Sequence, residues 1–176
     1  MKTLILLTVI LLIQPSMMIF DFNTTSDIIN WNIVDDVVMG GRSNGNFNIN
    51  SAGYGEFHGK VSLENNGGFS MVQYKFNTKQ VETFSKICLH IRGDRKHYQF
   101  RVKNNISDRH SYIVSFETTG DWQTINIPFS DLYPAYRGNT LDMKNYPGKT
   151  LDMIAFLIGN KKAEAFKLEI DSIVLK

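Results

Sequence analysis

Along most of this chain apolar and polar residues alternate with a period of two, the spacing that places one set of side chains on each face of a half-buried strand. Between Lys86 and Gly93, Ile87, Leu89 and Ile91 share one face, with Cys88, His90 and Arg92 on the other. Between His97 and Lys103, Tyr98, Phe100 and Val102 oppose His97, Gln99, Arg101 and Lys103. Ser111–Glu117 alternates through Tyr112, Val114 and Phe116. Trp122–Ile127 follows a Gly120-Asp121 turn and stops at Pro128, which has no N–H for a strand ladder. Phe69–Tyr74 and Phe166–Asp171 alternate as well. Met153–Ile158 is instead a continuous apolar run closed by Gly159, as expected of a strand covered on both faces. Helical signals are few: one turn capped by Ser26 and running to Asn30, and another over Thr78–Ser85. Many short strands separated by turns predict an all-β fold, two antiparallel sheets packed as a sandwich, with few short helices.

The first residues break this pattern. Residues 1–13 read MKTLILLTVILLI, a single Lys2 followed by an apolar block interrupted only by Thr8. Ten helical residues cover about 15 Å, half of a bilayer core, and Gln14, Pro15 and Ser16 end the block. This is the anatomy of a signal peptide. Cleavage after Ser16 removes residues 1–16 and leaves one domain, 17–176, exported to the periplasm or the cell exterior. A retained leader that borrows Met17–Phe20 makes a membrane anchor instead, the only membrane contact expected. No cysteine follows the block to carry a lipid.

Composition narrows the function. The chain has 176 residues, 43% apolar and 20% charged, enough for one self-sufficient core. Its 19 basic and 17 acidic residues balance to +2, which argues against a nucleic-acid partner. Cys88 is the single cysteine, so no intrachain disulfide or cysteine-rich zinc site exists, and in an alternating strand it reads as an inert thiol. His58, His90, His97 and His110 show no metal-ligand spacing, and no metal or cofactor is expected. His90 and His97 approach each other only if their strands pair. No G-x-S-x-G elbow is present, and the adjacent Asp35 and Asp36 point apart in an extended segment. The chain therefore reads as non-enzymatic. Arg92-Gly93-Asp94 spells an adhesion tripeptide and equally fits a strand-end turn. Asn23 and Asn105 head glycosylation sequons. Tyr133, Tyr136 and Arg137, in a loop between Pro128 and Pro147, are candidates for a sugar platform or a protein contact, because sugar C–H faces stack on rings.

Two segments stand apart from the strands: Trp31–Gly45, WNIVDDVVMGGRSNG, and Ser62–Ser70, SLENNGGFS. Each places a Gly-Gly pair beside polar residues that can hold a loop, and neither has a phosphate-loop ending. The run Asp36-Val37-Val38-Met39-Gly40-Gly41-Arg42-Ser43 after Trp31 resembles the signature of the complex I intermediate-associated protein 30 family. Val61–Phe69, Arg92-Gly93-Asp94 with Tyr98, Pro128–Leu132 with Pro134 and Arg137-Gly138, Leu157–Lys161 and Phe166–Asp171 follow in the family's order. The resemblance covers about residues 19–175, with Asp36 rather than Asp35 at the family's acidic position.

The resemblance implies a galactose-binding-like jelly-roll sandwich, akin to carbohydrate-binding modules. It also implies a chaperone-like role, since the mitochondrial member assists assembly of respiratory complex I. The chain lacks that member's Arg-rich transit peptide. The binding residues implied are Asp36, Met39, Gly40, Gly41, Ser43, Asn65, Asn66, Gly67, Gly68, Phe69, Arg92, Tyr98 and Arg137. The glycines and asparagines would shape loops, and Arg92 and Arg137 would offer charge-assisted hydrogen bonds. The partner expected is a protein, such as a respiratory-complex subunit, or alternatively a carbohydrate.

Overall fold

The computed structural model describes residues 15–176, so the predicted leader lies outside the described residues, except for Pro15 and Ser16. The strands are β1 (Met17–Asp21), β2 (Trp31–Asp35), β3 (Asn44–Ile49), β4 (Gly55–Val61), β5 (Ser70–Gln80), β6 (Lys86–Arg92), β7 (His97–Lys103), β8 (Ser111–Glu117), β9 (Gln123–Pro128), β10 (Tyr133–Tyr136), β11 (Asn139–Thr140), β12 (Thr150–Ile158) and β13 (Glu164–Leu175). They form two antiparallel sheets. One runs β3-β4-β13-β6-β9, with β1 also on β13; the other runs β11-β10-β8-β7-β12-β5-β2. This is the antiparallel all-β sandwich the alternation predicts, in the jelly-roll form the resemblance implies.

The inner faces carry the apolar sets. Ile87, Leu89 and Ile91 of β6 meet Phe100 and Val102 of β7, Phe156 of β12 and Phe57 of β4 in one core, all at most 1% exposed. At one end an aromatic cluster closes the sandwich: Trp31 stacks on Tyr74 at 4.9 Å and on Phe47 at 4.8 Å, with Phe20 set edge-on to Trp31 at 5.5 Å. Burying one such ring contributes about 1.5–3 kcal/mol. Central β12 lies between β5 and β7, with Met153–Ile158 buried throughout.

The helices are three 3₁₀ turns among the described residues, Asp36–Met39, Glu64–Asn66 and Phe129–Asp131. The predicted helical turns lie elsewhere and do not form. The Ser26 hydroxyl donates to the Asp21 carbonyl and accepts from the Asn23 N–H, while Asn23 Oδ1 accepts from Thr25, so the segment closes as an Asx turn. Thr78–Gln80 extends β5, and Val81, fully buried, donates to the Lys149 carbonyl instead of starting a helix. Tyr133–Tyr136 is a strand paired with β8 rather than a loop. His90 and His97 lie in different sheets and do not meet: His90 Nδ1 bonds Asp171 Oδ2 at 2.9 Å, and His97 faces Glu117.

Candidate functional site

Where β2 ends, two adjacent carboxylates turn opposite ways and clamp different parts of the chain. Asp35 accepts from the Gly45 N–H at 2.9 Å and the Ser70 hydroxyl at 2.6 Å, tying β2 to the starts of β3 and β5. Asp36 is fully buried. Its Oδ1 accepts from the Ser43 N–H at 2.9 Å. Its Oδ2 accepts from the Ser43 hydroxyl at 2.5 Å, the Gly68 N–H at 2.6 Å and the Phe69 N–H at 3.2 Å. Burial alone would raise the Asp36 pKa, but these four donors outweigh it and hold the carboxyl below its usual value. The Ser43 oxygen also accepts from the Ser62 N–H at 3.0 Å. One side chain thus fastens residues 36–43 to residues 62–69.

The glycines are explained by this clamp. A Cβ on Gly41 would sit 2.3 Å from Asp36 Oδ1, and one on Gly67 would sit 2.7 Å from Asp36 Oδ2. Gly40 closes the first 3₁₀ turn with φ +89°. Asn65 and Asn66 adopt φ of 54° and 60°, the left-handed region that asparagine tolerates best after glycine. What the paired loops present outward is apolar: Val37 is 60% exposed, Met39 63% and Leu63 46%. Arg42 and Glu64 form an exposed ion pair at 3.3 Å across the two segments.

The structure therefore brings together Asp36, Met39, Gly40, Gly41, Ser43 and Asn65–Phe69. Arg92, Tyr98 and Arg137 lie elsewhere. Arg92, on the outward face of β6, donates to Glu169 at 2.6 Å and lies 5.1 Å over the Trp122 ring. Tyr98 is 1% exposed and donates to Asp94 at 2.9 Å, and burial pushes its hydroxyl pKa up, so it is a core residue. Arg137, in the β10–β11 turn at φ +49°, lies over the half-buried Tyr136 ring, whose hydroxyl accepts from Arg109. Asp94 of the adhesion-like tripeptide accepts from Tyr98, Lys96 and the Lys167 N–H. The Cys88 thiol donates to Asn126, and no three His, Cys, Asp or Glu side chains converge on a metal geometry among the described residues.

Sequence reasoning missed Asp35 as a clamp and did not single out Arg101. The only local signal for Asp35 was its partner: two neighbouring acids at a strand end must project to opposite sides. Arg101 was placed on the polar face of β7, but its isolation there depends on which strands flank it.

Known proteins share this architecture. A family 11 carbohydrate-binding module from a cellulosomal cellulase of Clostridium thermocellum aligns over 92% of this chain and 94% of its own, with TM-score 0.66 and 19% identity. An exo-β-agarase aligns over 90% of this chain and 25% of its own, with TM-score 0.55 and 13% identity. At such identities these likenesses establish the fold alone. In sequence, the mitochondrial Complex I intermediate-associated protein 30 of Drosophila melanogaster is 25% identical over 183 residues, which is 90% of this chain and 62% of that protein. The chain thus spans less than two thirds of that relative. The model of the Complex I intermediate-associated protein 30 family matches residues 20–170, a stretch that holds both clamped loops and all of the sandwich except the start of β1 and the end of β13, and this chain belongs to that family.

Proposed function

We propose that the chain is a non-catalytic protein-binding domain that acts as an assembly factor for respiratory complex I, docking through the loops fastened by Asp36. The observation that carries this reading is the pairing of a rigid base with an apolar crown: Val37, Met39 and Leu63 are exposed on segments fixed by four hydrogen bonds to one buried carboxylate. A pre-ordered apolar surface loses little conformational entropy on binding. The same carboxylate is poorly suited to acid–base work, because every strong donor around it stabilises the charged form. Arg92 and Arg137 are outlying contacts on this reading. The leader at 1–16 sends the domain to the periplasmic or extracellular side, or tethers it to the membrane where uncleaved. No helix of the described residues is long and apolar enough to cross a membrane.

A photo-crosslinking amino acid at position 39 tests this. Capture of a complex I subunit or assembly intermediate from position 39, but not from the exposed position 143, supports the proposal. Equal capture from both, or capture of no respiratory protein, sinks it.

One observation favours a second reading, an exported carbohydrate-binding module. The outward face of the six-stranded sheet bears a shallow depression of about 530 Å³ lined by Asn44, Asn46, Glu56, His58, Lys60 and Lys167. Paired amides beside a carboxylate and cations offer the donors and acceptors that sugar hydroxyls need. Retention on a glycan array that is lost in Asn46→Ala would move the assignment there; no retention on any sugar counts against it.

A further inference from the structure

The other sheet has an outward face of different character. Its central cross-strand row runs Asn32, Gln73, Ala155, Arg101, Ile113 and Tyr133, from β2 to β10. One row over, Met153 lies between Lys75 and Lys103; on the other side Leu157 lies between Met71 and Gln99. None of these positions is acidic. In a two-layer sandwich nothing packs on an outward face, yet Ala155 is 0% exposed, Met153 3%, Ile113 5% and Leu157 7%. These residues are the floor of a trough whose walls are the longer flanking side chains.

Arg101 rises from that floor without a counter-charge. Arginine–carboxylate pairs among the described residues are those of Arg42 and Arg92. The Arg101 guanidinium bonds only Gln99, whose Oε1 accepts from Nε at 3.2 Å and Nη2 at 2.7 Å. Burial lowers its pKa, an effect the nearby Tyr133 opposes. Burial likewise lowers that of Lys103; Asp108 opposes the shift and Lys75 adds to it, so the two lysines sense each other. A desolvated guanidinium that spends two donors on one neutral oxygen keeps further N–H groups for a bidentate anion.

We propose that this trough is a second docking surface, which takes an extended acidic peptide segment of a protein partner, with a side-chain carboxylate on Arg101. It goes beyond the clamped loops and rests on the protein-binding reading only in making the carboxylate's carrier a peptide. The floor argues for a peptide over a uronic-acid glycan. Its part-exposed apolar side chain is the thioether Met71, set over the buried Met153, Leu157 and Ala155, and Tyr133 is the one ring in the central row. Methionine surfaces adapt to varied side chains, whereas sugars favour flat rings.

The test is fluorescence anisotropy of the full chain at low salt with three labelled probes: hexaglutamate, hexaglutamine and trigalacturonate. Hexaglutamate is expected to bind and hexaglutamine not to bind. Arg101→Gln should weaken hexaglutamate at least tenfold, and Arg101→Lys, which keeps the charge but loses the fork, should weaken it severalfold. Either variant carries the test if the other fails to fold. Met39→Asp should leave this binding unchanged, which separates the trough from the loops. No hexaglutamate binding, equal binding by both Arg101 variants, or binding of trigalacturonate alone overturns the proposal.

Discussion

Asp36 concentrates more structure on one side chain than any other residue of the candidate site. Its Oδ2 receives three donors, so Asp36→Asn, which must turn either an NH₂ or its single oxygen toward them, leaves buried N–H groups unpaired. The expected cost is about 2–4 kcal/mol, read from urea unfolding at neutral pH. The pH dependence has a definite sign. The Asp36 pKa in the fold lies below its ordinary value of 3.8, so its stabilisation is complete above that value and is lost as pH falls through the lower folded value. The gap between wild type and Asp36→Asn should therefore be widest near neutrality and shrink below about pH 4 in thermal melts; a gap that widens in acid contradicts the depressed pKa. Gly41→Ala drives a methyl to 2.3 Å from the same carboxylate and should cost about 1–3 kcal/mol in the same assay. From the residues alone these glycines read as turn formers. That they make room for a buried carboxylate depends on Ser62–Phe69 folding back across the chain, which no local pattern encodes.

At the scale of elements, legibility followed contrast. Strands β6, β7, β8 and β12 were plain because their inward positions are large and apolar. Strands β3 and β4 were not, because glycine stands at positions a core side chain would mark. Gly55 leaves space that the Phe22 ring fills, since a Cβ there would lie 2.6 Å from it; Gly45 gives way to the Ser70 hydroxyl and Gly59 to the Asn44 carbonyl. The sequence NGNFNI thus reads as turn-like although it forms a ladder with β4 through six paired residues. Strand β1 was hidden differently, its Met17–Phe20 continuing the apolar leader. One element carries an unresolved strain. At the β12 bulge Asp152 is 8% exposed, its Oδ2 accepting from the Ile106 N–H at 2.9 Å and its Oδ1 without a partner. Asn104, the residue just after β7, also has a buried oxygen without a donor. Asp152→Asn keeps the bond to Ile106 and removes a buried charge. It should raise stability by about 1 kcal/mol and the melting temperature by about 2–4 °C. A fall in melting temperature would show that the carboxylate is required as an anion.

At the scale of the whole molecule the first and last strands are one structure. β1 lies antiparallel to the last residues of β13, Met17 opposite Leu175 and Asp21 opposite Ser172, and the Phe22 N–H continues the ladder to the Asp171 carbonyl. Ile19 and Phe22 are buried, and Phe20 packs edge-on against Trp31 and Tyr74 in the aromatic cluster. Removing the three side chains forfeits about 5 kcal/mol or more of apolar burial, at the rates typical of such residues. That is comparable with the 5–15 kcal/mol that holds an ordinary domain folded. The fold therefore begins at a sharp boundary: a chain that starts at Met17 keeps every β1 pairing, and one that starts at Asn23 keeps none. The first should melt cooperatively and keep the crosslink from position 39. The second should lose its cooperative transition and bind a hydrophobic dye. Mass spectrometry of the protein from its native cells tests the expected processing against this boundary, because a mature N-terminus at or before Met17 is compatible with the fold and one beyond Phe20 is not. Should the chain starting at Asn23 melt like the one starting at Met17, β1 would be dispensable, and the boundary between leader and domain would have to move inward.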